Sequence, residues 1–270
     1  MTGYQDIGRY EYKYVLPLSA RDRVMEVIGD FVKPDPHATE RPDGLIGYFN
    51  HSIYLDTEDL FDYHERLDES AVRNRLRVRT YGKPGDGSPV FLENKRKLEA
   101  WVVKQRVMVG DADSWRADPS ERPWVEHAAR VTGRGAFSAE HFVRLVERDG
   151  RRPVSAVHYF REVFIDRRGD ARESVRLTLD REVNATVEPD GRDLYAAPDV
   201  DLLPQDWMVM ELKYRGDRPG WMRILARALG LRAVPVPKFG LSVARGLRAA
   251  YAHDSRRLLP PPIRELGWGL

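Results

Sequence analysis

The stretch from Arg73 to Val109 constrains the fold more than any other part of the chain. It reads RNRLRVRTYG, then VFLENKRK, then AWVVKQRVMV. Each segment alternates with a period of two, the repeat of a strand whose two faces meet different surroundings. In an extended conformation Arg75, Arg77 and Arg79 point one way while Leu76 and Val78 point the other. The same count puts Glu93, Lys95 and Lys97 on one face of the second segment, and Lys104 and Arg106 on one face of the third. The links GKPGDGSP and KLEA are short, which favours antiparallel neighbours. Three such neighbours present a mainly basic surface. Like charges opposite each other across strands are destabilising, and a solvated face mixes signs. A concentrated basic face therefore points to an anionic partner; the simpler reading is an outer face turned to water.

The pattern recurs along the chain. In IGRYEYKYVL (7–16), Arg9, Glu11 and Lys13 share one face and Tyr10, Tyr12 and Tyr14 the other. GYFNHSIYLDT (47–57), SAVHYFREVFID (155–166), ESVRLTLDREV (173–183) and DWMVMELKYR (206–215) read as further strands. On them Tyr159 pairs in direction with Arg161, Arg176 with Thr178 and Asp180, and Glu211 with Lys213. Helical spacing predicts a helix over 19–32 capped by Ser19 and ended by Pro34, and a short one over 59–67. A mainly helical region spans 110–152, with Ser138 as a possible cap, and further helices follow Pro219 and run from Lys238 to about Tyr251. About eight mostly antiparallel strands with helices between them predict an α+β fold, the apolar helix stripes covering the sheet from outside. If the sheet curls into a barrel-like tunnel, the charged face lines an interior that holds side chains and one slender ligand. Opposed Arg and Lys rows there call for counter-charge, which a bound polyanion supplies. The expected organisation is a single domain over 1–252 with a Pro-rich tail over 253–270.

Composition narrows the function classes. Lys plus Arg (44) nearly balances Asp plus Glu (42), so the net charge of +2 lacks the global basic signature of a nucleic-acid binder. With no cysteine, disulfides, thiolate metal sites and thiol nucleophiles are excluded. The histidines show no HxxxH or HExxH spacing, which argues against zinc, and GKPGDGSP lacks the Lys-Ser ending of a P-loop. Tyr10, Tyr12, Trp101 and Trp207 alternate with charged positions and read as packing groups. No segment approaches the apolar length of a membrane span, and the expectation is a soluble, cytoplasmic protein.

YEYK, LRVR, ENKRK, KQR, YFR, VRLTLD, MELKY and VPKF, in this order over roughly 7–252, resemble the polyphosphate polymerase domain of the vacuolar transporter chaperone (VTC) type. That domain is one of the triphosphate tunnel metalloenzymes, together with the CYTH-type triphosphatases. The resemblance implies that Lys13, Arg77, Arg79, Lys95, Lys104, Arg161, Arg176 and Lys238 hold a chain of phosphates and that Tyr159 contacts it. It also implies that Glu211 binds a divalent metal, Mg²⁺ or Mn²⁺, with Glu11 or Glu93 as a partner. Glu93 is alternatively a salt-bridge partner for Lys95 or Arg106. Arg75, Arg106 and Lys213 lie on the right faces to bind substrate. Two positions depart from the family pattern: Arg9 stands where the hydrolase branch has the first Glu of ExExK, and KFGLS replaces KFSKY, so Gly240 and Leu241 stand for a hydroxyl and a lysine.

The implied reaction is transfer of the ATP γ-phosphate to the end of a growing polyphosphate, with ATP and inorganic polyphosphate as partners, no nucleic acid and a separate membrane partner as an open option. A phosphate oxygen of the chain is the nucleophile, so positioning and charge stabilisation carry the catalysis. The alternatives are a tunnel triphosphatase that activates water and a non-catalytic polyphosphate-binding module.

Overall fold

In the computed structural model, residues 4–5, 9–68, 70–98, 101–167 and 175–250 are described. The alternating segments are strands: β1 (Arg9–Pro17), β2 (Ile46–Asp56), β3 (Leu76–Tyr81), β4 (Pro89–Leu98), β5 (Trp101–Asp111), β6 (Arg152–Asp166), β7 (Val175–Val187) and β8 (Trp207–Arg215). They form one antiparallel sheet in the order β5-β4-β3-β2-β6-β7-β8-β1. Short strands extend it, among them Tyr4–Gln5 on β5 and Val32–Pro34 on β6. Among the described residues no ladder joins β1 to β5, so the sheet is not closed. Gln5 nevertheless pairs with Val103 on one edge while Arg9, four residues on, opens the strand on the other. Four residues span at most about 14 Å, so the two edges are brought round toward each other.

Helices bury their apolar stripes on the outer face of this curled sheet. α1 (Arg21–Ile28) and α6 (Gly220–Ala228) apply Val24, Ile28, Trp221, Met222 and Leu225 to Leu177, Leu179, Met208 and Met210. α3 (Ala112–Ala117), α4 (Pro123–Ala129) and α5 (Ala136–Arg148) cover Ile53, Leu76, Val78, Val90 and Leu92 with Trp115, Trp124, Phe142 and Val146. Each fully buried large side chain stabilises by about 1.5–3 kcal/mol relative to exposure, which is why these stripes dock.

Two expectations about helix ends are corrected. Ser19 sits in a 3₁₀ turn, Leu18–Ala20, makes no capping bond, and α1 stops at Ile28. Val32 and Pro34 instead pair with Asp166 and Phe164, an edge position where proline's missing N–H costs nothing. Ser138 lies inside α5, which begins at Ala136.

α7 (Lys238–Ala250) departs further from an all-outside arrangement. With Tyr63 of α2 (Phe61–Leu67) it packs Phe239, Leu241, Val243 and Ala244 against Val15, Tyr54, Val157, Tyr159 and Val209, which point to the inside of the sheet. A bulge at Glu182, whose φ is +53°, breaks the pairing register of β6 and β7. It brings Val183 and Ala185 into the same inward apolar set. The interior is thus apolar and filled at one end and polar along the rest. Among the described residues no helix is long and apolar enough to cross a membrane. The Pro-rich stretch 253–270, the boundary at 252 and Tyr251 lie outside the described residues.

Candidate active site

At the N-terminal end of α7, the inward rows of six strands converge on a chamber of about 170 Å³. Lys13, Arg75, Arg77, Arg79, Lys95, Arg161, Lys213 and Lys238 line it, against two carboxylates, Glu11 and Glu211. Tyr54 and Tyr159 complete the polar wall, and Val236, Pro237 and Phe239 close it from the α7 side.

Strand register sets the charge pattern. Lys13 faces Glu211 and Glu11 faces Lys213 across β1 and β8. Lys213 Nζ is 3.0 Å from Glu211 Oε1, and Lys13 Nζ is 2.9 Å from Glu11 Oε1. Burial would raise the Glu211 carboxyl, but the adjacent Lys213 and Lys13 ammoniums hold it well below the usual carboxylate range. Burial works against the Lys13 ammonium, yet the adjacent Glu211 and Glu11 raise its pKa.

The second group is centred on Asp180, opposite Arg161 across β6 and β7. Arg161 donates to it from Nε at 2.5 Å and Nη2 at 2.7 Å, and Lys238 Nζ donates at 2.6 Å. Asp180 is fully buried. Arg161 and Lys238 also lie over the Tyr159 ring, 5.0 and 4.8 Å from its centre, which fixes both cations in a shared cradle.

The third group holds Glu93. Arg77 Nη2 is 2.5 Å, Lys104 Nζ 3.0 Å and Arg106 Nε 3.3 Å from its oxygens. Burial would raise this carboxyl, but Arg77, Arg79, Lys104 and Arg106 outweigh it and keep Glu93 ionised. Of the two roles the sequence left open, the observed contacts are those of an internal counter-ion, shared by Arg77, Lys104 and Arg106 rather than Lys95. Arg79 donates to Ser52 Oγ, and Arg77 to the Tyr54 hydroxyl at 3.1 Å. Burial raises the Tyr54 phenol, but Arg77, Arg79 and Arg75 bring it down to about 8.

Lys13, Arg75 and Lys95 continue into a wider vestibule of about 460 Å³ with Arg66, Arg73, Asn74 and Lys97, lined by six cations and no carboxylate. The Nε of Arg75 is buried there with no hydrogen-bond partner among the described residues, its guanidinium lying over the Phe239 ring at 5.2 Å. Arg176 stands apart from the chamber, donating to the Tyr48 hydroxyl at 2.9 Å with Asp35 at 3.7 Å. Arg106, beside Glu93, lies over the Phe91 ring, 3.6 Å from its centre, on the same inward face but not in the chamber wall.

The two departures in KFGLS do not open onto the chamber. Leu241 is buried in the apolar cluster under α7, and a side chain on Gly240 would meet Pro237 and Tyr63 in ordinary contact. The side chain of Arg9 lies outside the described residues. Tyr54, Ser52 and Arg66 are site residues that alternation of charge does not single out; it places Asp180 on a charged face without marking it as the partner of Arg161 and Lys238.

The Lys104 ammonium, bound to Glu93 beside the chamber wall, is pH-sensitive. Burial lowers its pKa, Glu93 opposes this, and Arg77 and Arg79 press it down to about 8. Between that value and the ordinary lysine range the unfolded chain holds a proton that folded Lys104 has released, so this group makes stability rise with pH there. A bound phosphate chain favours the charged lysine and the neutral Tyr54. Binding of tripolyphosphate at pH 8 is therefore expected to take up protons and to weaken as pH rises from 7 to 9. Calorimetry in buffers of different ionisation enthalpy reads the uptake; Lys104→Met and Tyr54→Phe should each remove part of it, and binding without uptake would refute the assignment.

Among the described residues no three His, Asp or Glu side chains group to hold a metal ion. The carboxylates of Glu11 and Glu211, held close by the Lys13 and Lys213 ammoniums they share, are a two-ligand set. Hard divalent cations are commonly held by one or two carboxylates, with phosphate oxygens and water completing the shell, so these residues fit Mg²⁺ or Mn²⁺.

No individually curated protein sequence matches the chain. Among solved structures, a provisional adenylate cyclase from Vibrio parahaemolyticus aligns at 11% identity over 87% of this chain and 97% of that one, TM-score 0.41. HpAC1 from Hippeastrum, a provisional adenylyl cyclase described as having a dominant triphosphatase activity, aligns at 14% identity over 89% and 96%, TM-score 0.48. The PH1819 protein of Pyrococcus horikoshii aligns at 16% identity over 83% and 92%, TM-score 0.39. The VTC domain model matches residues 8–246. That span runs from the strand carrying Glu11 and Lys13 through the helix that delivers Lys238, and the chain belongs to the VTC domain family.

Proposed function

We propose that this protein is a polyphosphate polymerase that transfers the γ-phosphate of ATP to the end of an inorganic polyphosphate chain. The observation that carries this reading is the continuity of the cationic lining. A chamber of eight cations and two carboxylates passes into a vestibule of six cations and none, which suits an anion longer than one triphosphate.

In this reading Arg77, Arg79, Arg161 and Lys238 hold the reacting phosphates. Forked guanidiniums engage phosphate oxygens in pairs, and the ammoniums act as compact charges. Asp180 and Glu93 keep these cations oriented before substrate arrives, so little reorganisation is needed when charge builds up. A terminal oxygen of the acceptor chain attacks the γ-phosphorus, the bond from that phosphorus to the β,γ-bridging oxygen breaks, and ADP leaves with the electron pair. Glu11 and Glu211 would hold Mg²⁺ or Mn²⁺, which supplies charge neutralisation on the phosphate oxygens when bound. The vestibule residues Arg66, Arg73, Lys95 and Lys97 guide the chain outside the chamber.

Incubation of the full chain with ATP and Mn²⁺ is expected to yield a ladder of long polyphosphate on a gel together with ADP. Orthophosphate release without a ladder would replace the proposal by a triphosphatase. Tight polyphosphate binding without turnover under any divalent metal would replace it by a binding module.

A further inference from the structure

A divalent cation at the Glu11–Glu211 pair meets competitors already in place. Lys213 Nζ lies 3.0 Å from Glu211 Oε1 and 3.6 Å from Glu11 Oε2. Lys13 Nζ lies 2.9 Å from Glu11 Oε1 and 3.8 Å from Glu211 Oε1. Each ammonium lies within 4 Å of both carboxylates, the two groups that would hold the metal ion. The pairing of Lys13 with Glu211 and of Glu11 with Lys213 across β1 and β8 builds this crossed arrangement into the sheet. Arg161 adds a further positive charge 3.6 Å from Glu211 Oε2.

Two carboxylates and two ammoniums leave the quartet neutral, so a metal ion arriving alone gains little attraction and meets repulsion from Arg161. A phosphate chain changes the balance. It offers the ammoniums new partners and releases the carboxylates to the metal. We propose that Lys13 and Lys213 are the resident counter-cations of a metal site that opens only when phosphate draws them off, so that metal and phosphate chain enter the chamber as one unit. The proposal rests on the assignment of Glu11 and Glu211 as metal ligands. Lys213 is the stronger lock because its shorter contact is to Glu211, the more deeply buried of the two carboxylates. Since the coupling is thermodynamic, each ligand raises the affinity of the other by the same factor.

The test is Mn²⁺ binding to the full chain, followed by electron paramagnetic resonance, which separates slowly tumbling protein-bound Mn²⁺ from Mn²⁺ free or complexed in solution. It is run with and without a β,γ-imido analogue of ATP. Wild type is expected to bind Mn²⁺ at least tenfold more tightly with the analogue than alone. Lys213→Met should raise the affinity for Mn²⁺ alone at least tenfold, Lys213→Arg should not, and Lys213→Met combined with Glu211→Gln should lose the gain. Equal Mn²⁺ affinity of wild type with and without the analogue would overturn the coupling. So would the absence of any gain in Lys213→Met, with Lys213→Gln repeating the measurement if melting curves show that the first variant has not folded. In both cases, retention of Mn²⁺ by wild type with the analogue and its loss in Glu211→Gln leave the metal assignment standing. No bound Mn²⁺ in any arm overturns coupling and metal assignment together.

Discussion

Glu211→Gln is expected to lower metal-dependent phosphoryl transfer by about 10²–10³-fold, the scale of losing several kcal/mol of charge stabilisation on the reacting phosphates. The amide keeps the size of the side chain and can still accept a hydrogen bond. What it loses is the charge that makes the site with Glu11 attractive to Mg²⁺ or Mn²⁺. Lys13, Lys213 and Arg161 each lose an anionic neighbour, at 3.8, 3.0 and 3.6 Å respectively, and become more available to phosphate. Tripolyphosphate affinity in the absence of metal should therefore stay level or rise while kcat falls. Steady-state rates with ATP and Mn²⁺, set beside calorimetric binding without metal, measure both quantities. A variant with wild-type rates would remove Glu211 from the metal site, and one that loses rate and metal-free affinity together would mark it as a general support of the cradle.

The placement of Arg77, Arg79, Lys95 and Lys104 on one surface was legible in the sequence because the strand pleat is a local property and their alternation is strict. The same count put Glu93 and Glu211 on basic faces and could not separate them. Pairing register does that: Arg77 and Arg106 sit directly opposite Glu93, which surrounds it with guanidiniums, whereas Glu211 has Lys13 opposite and a second carboxylate at hand. Tyr54 was not legible because β2 carries Tyr48, Asn50, Ser52 and Tyr54 on its inward face, a polar row without the charges that marked the other strands. An amphipathic pattern shows that a helix buries one stripe but not which side of a curled sheet receives it. α7 accordingly fills the interior end while α1, α5 and α6 cover the outside. Of the vestibule cations, Arg73 extends the alternation of Arg75, Arg77 and Arg79, whereas Arg66 comes from α2, and only the tertiary arrangement brings it to them.

Asp180→Asn should cost the ligand-free protein more stability than the ligand-bound one. Asp180 is fully buried and takes hydrogen bonds from two cations that come from different parts of the chain, Arg161 on β6 and Lys238 at the start of α7. An asparagine offers a single oxygen and no charge, so one buried cation loses its partner. Removing one member of a buried ion pair costs about 3–5 kcal/mol. For a protein of this size that corresponds to a fall in Tm of roughly 10 °C. Tripolyphosphate in the chamber would present fresh anionic oxygens to Arg161 and Lys238, so saturating amounts should recover most of the loss. Thermal denaturation of both proteins, with and without tripolyphosphate, reads the difference directly. An equal loss in the two conditions would mean that Asp180 acts through packing alone, and the idea that the internal acids stand in for the phosphate chain would fail. The expected recovery instead follows from the charge arrangement of the whole chamber. Rows of Arg and Lys converge there with Asp180, Glu93 and Glu211 each neutralising cations from neighbouring elements, and an incoming phosphate chain would compete for those same cations.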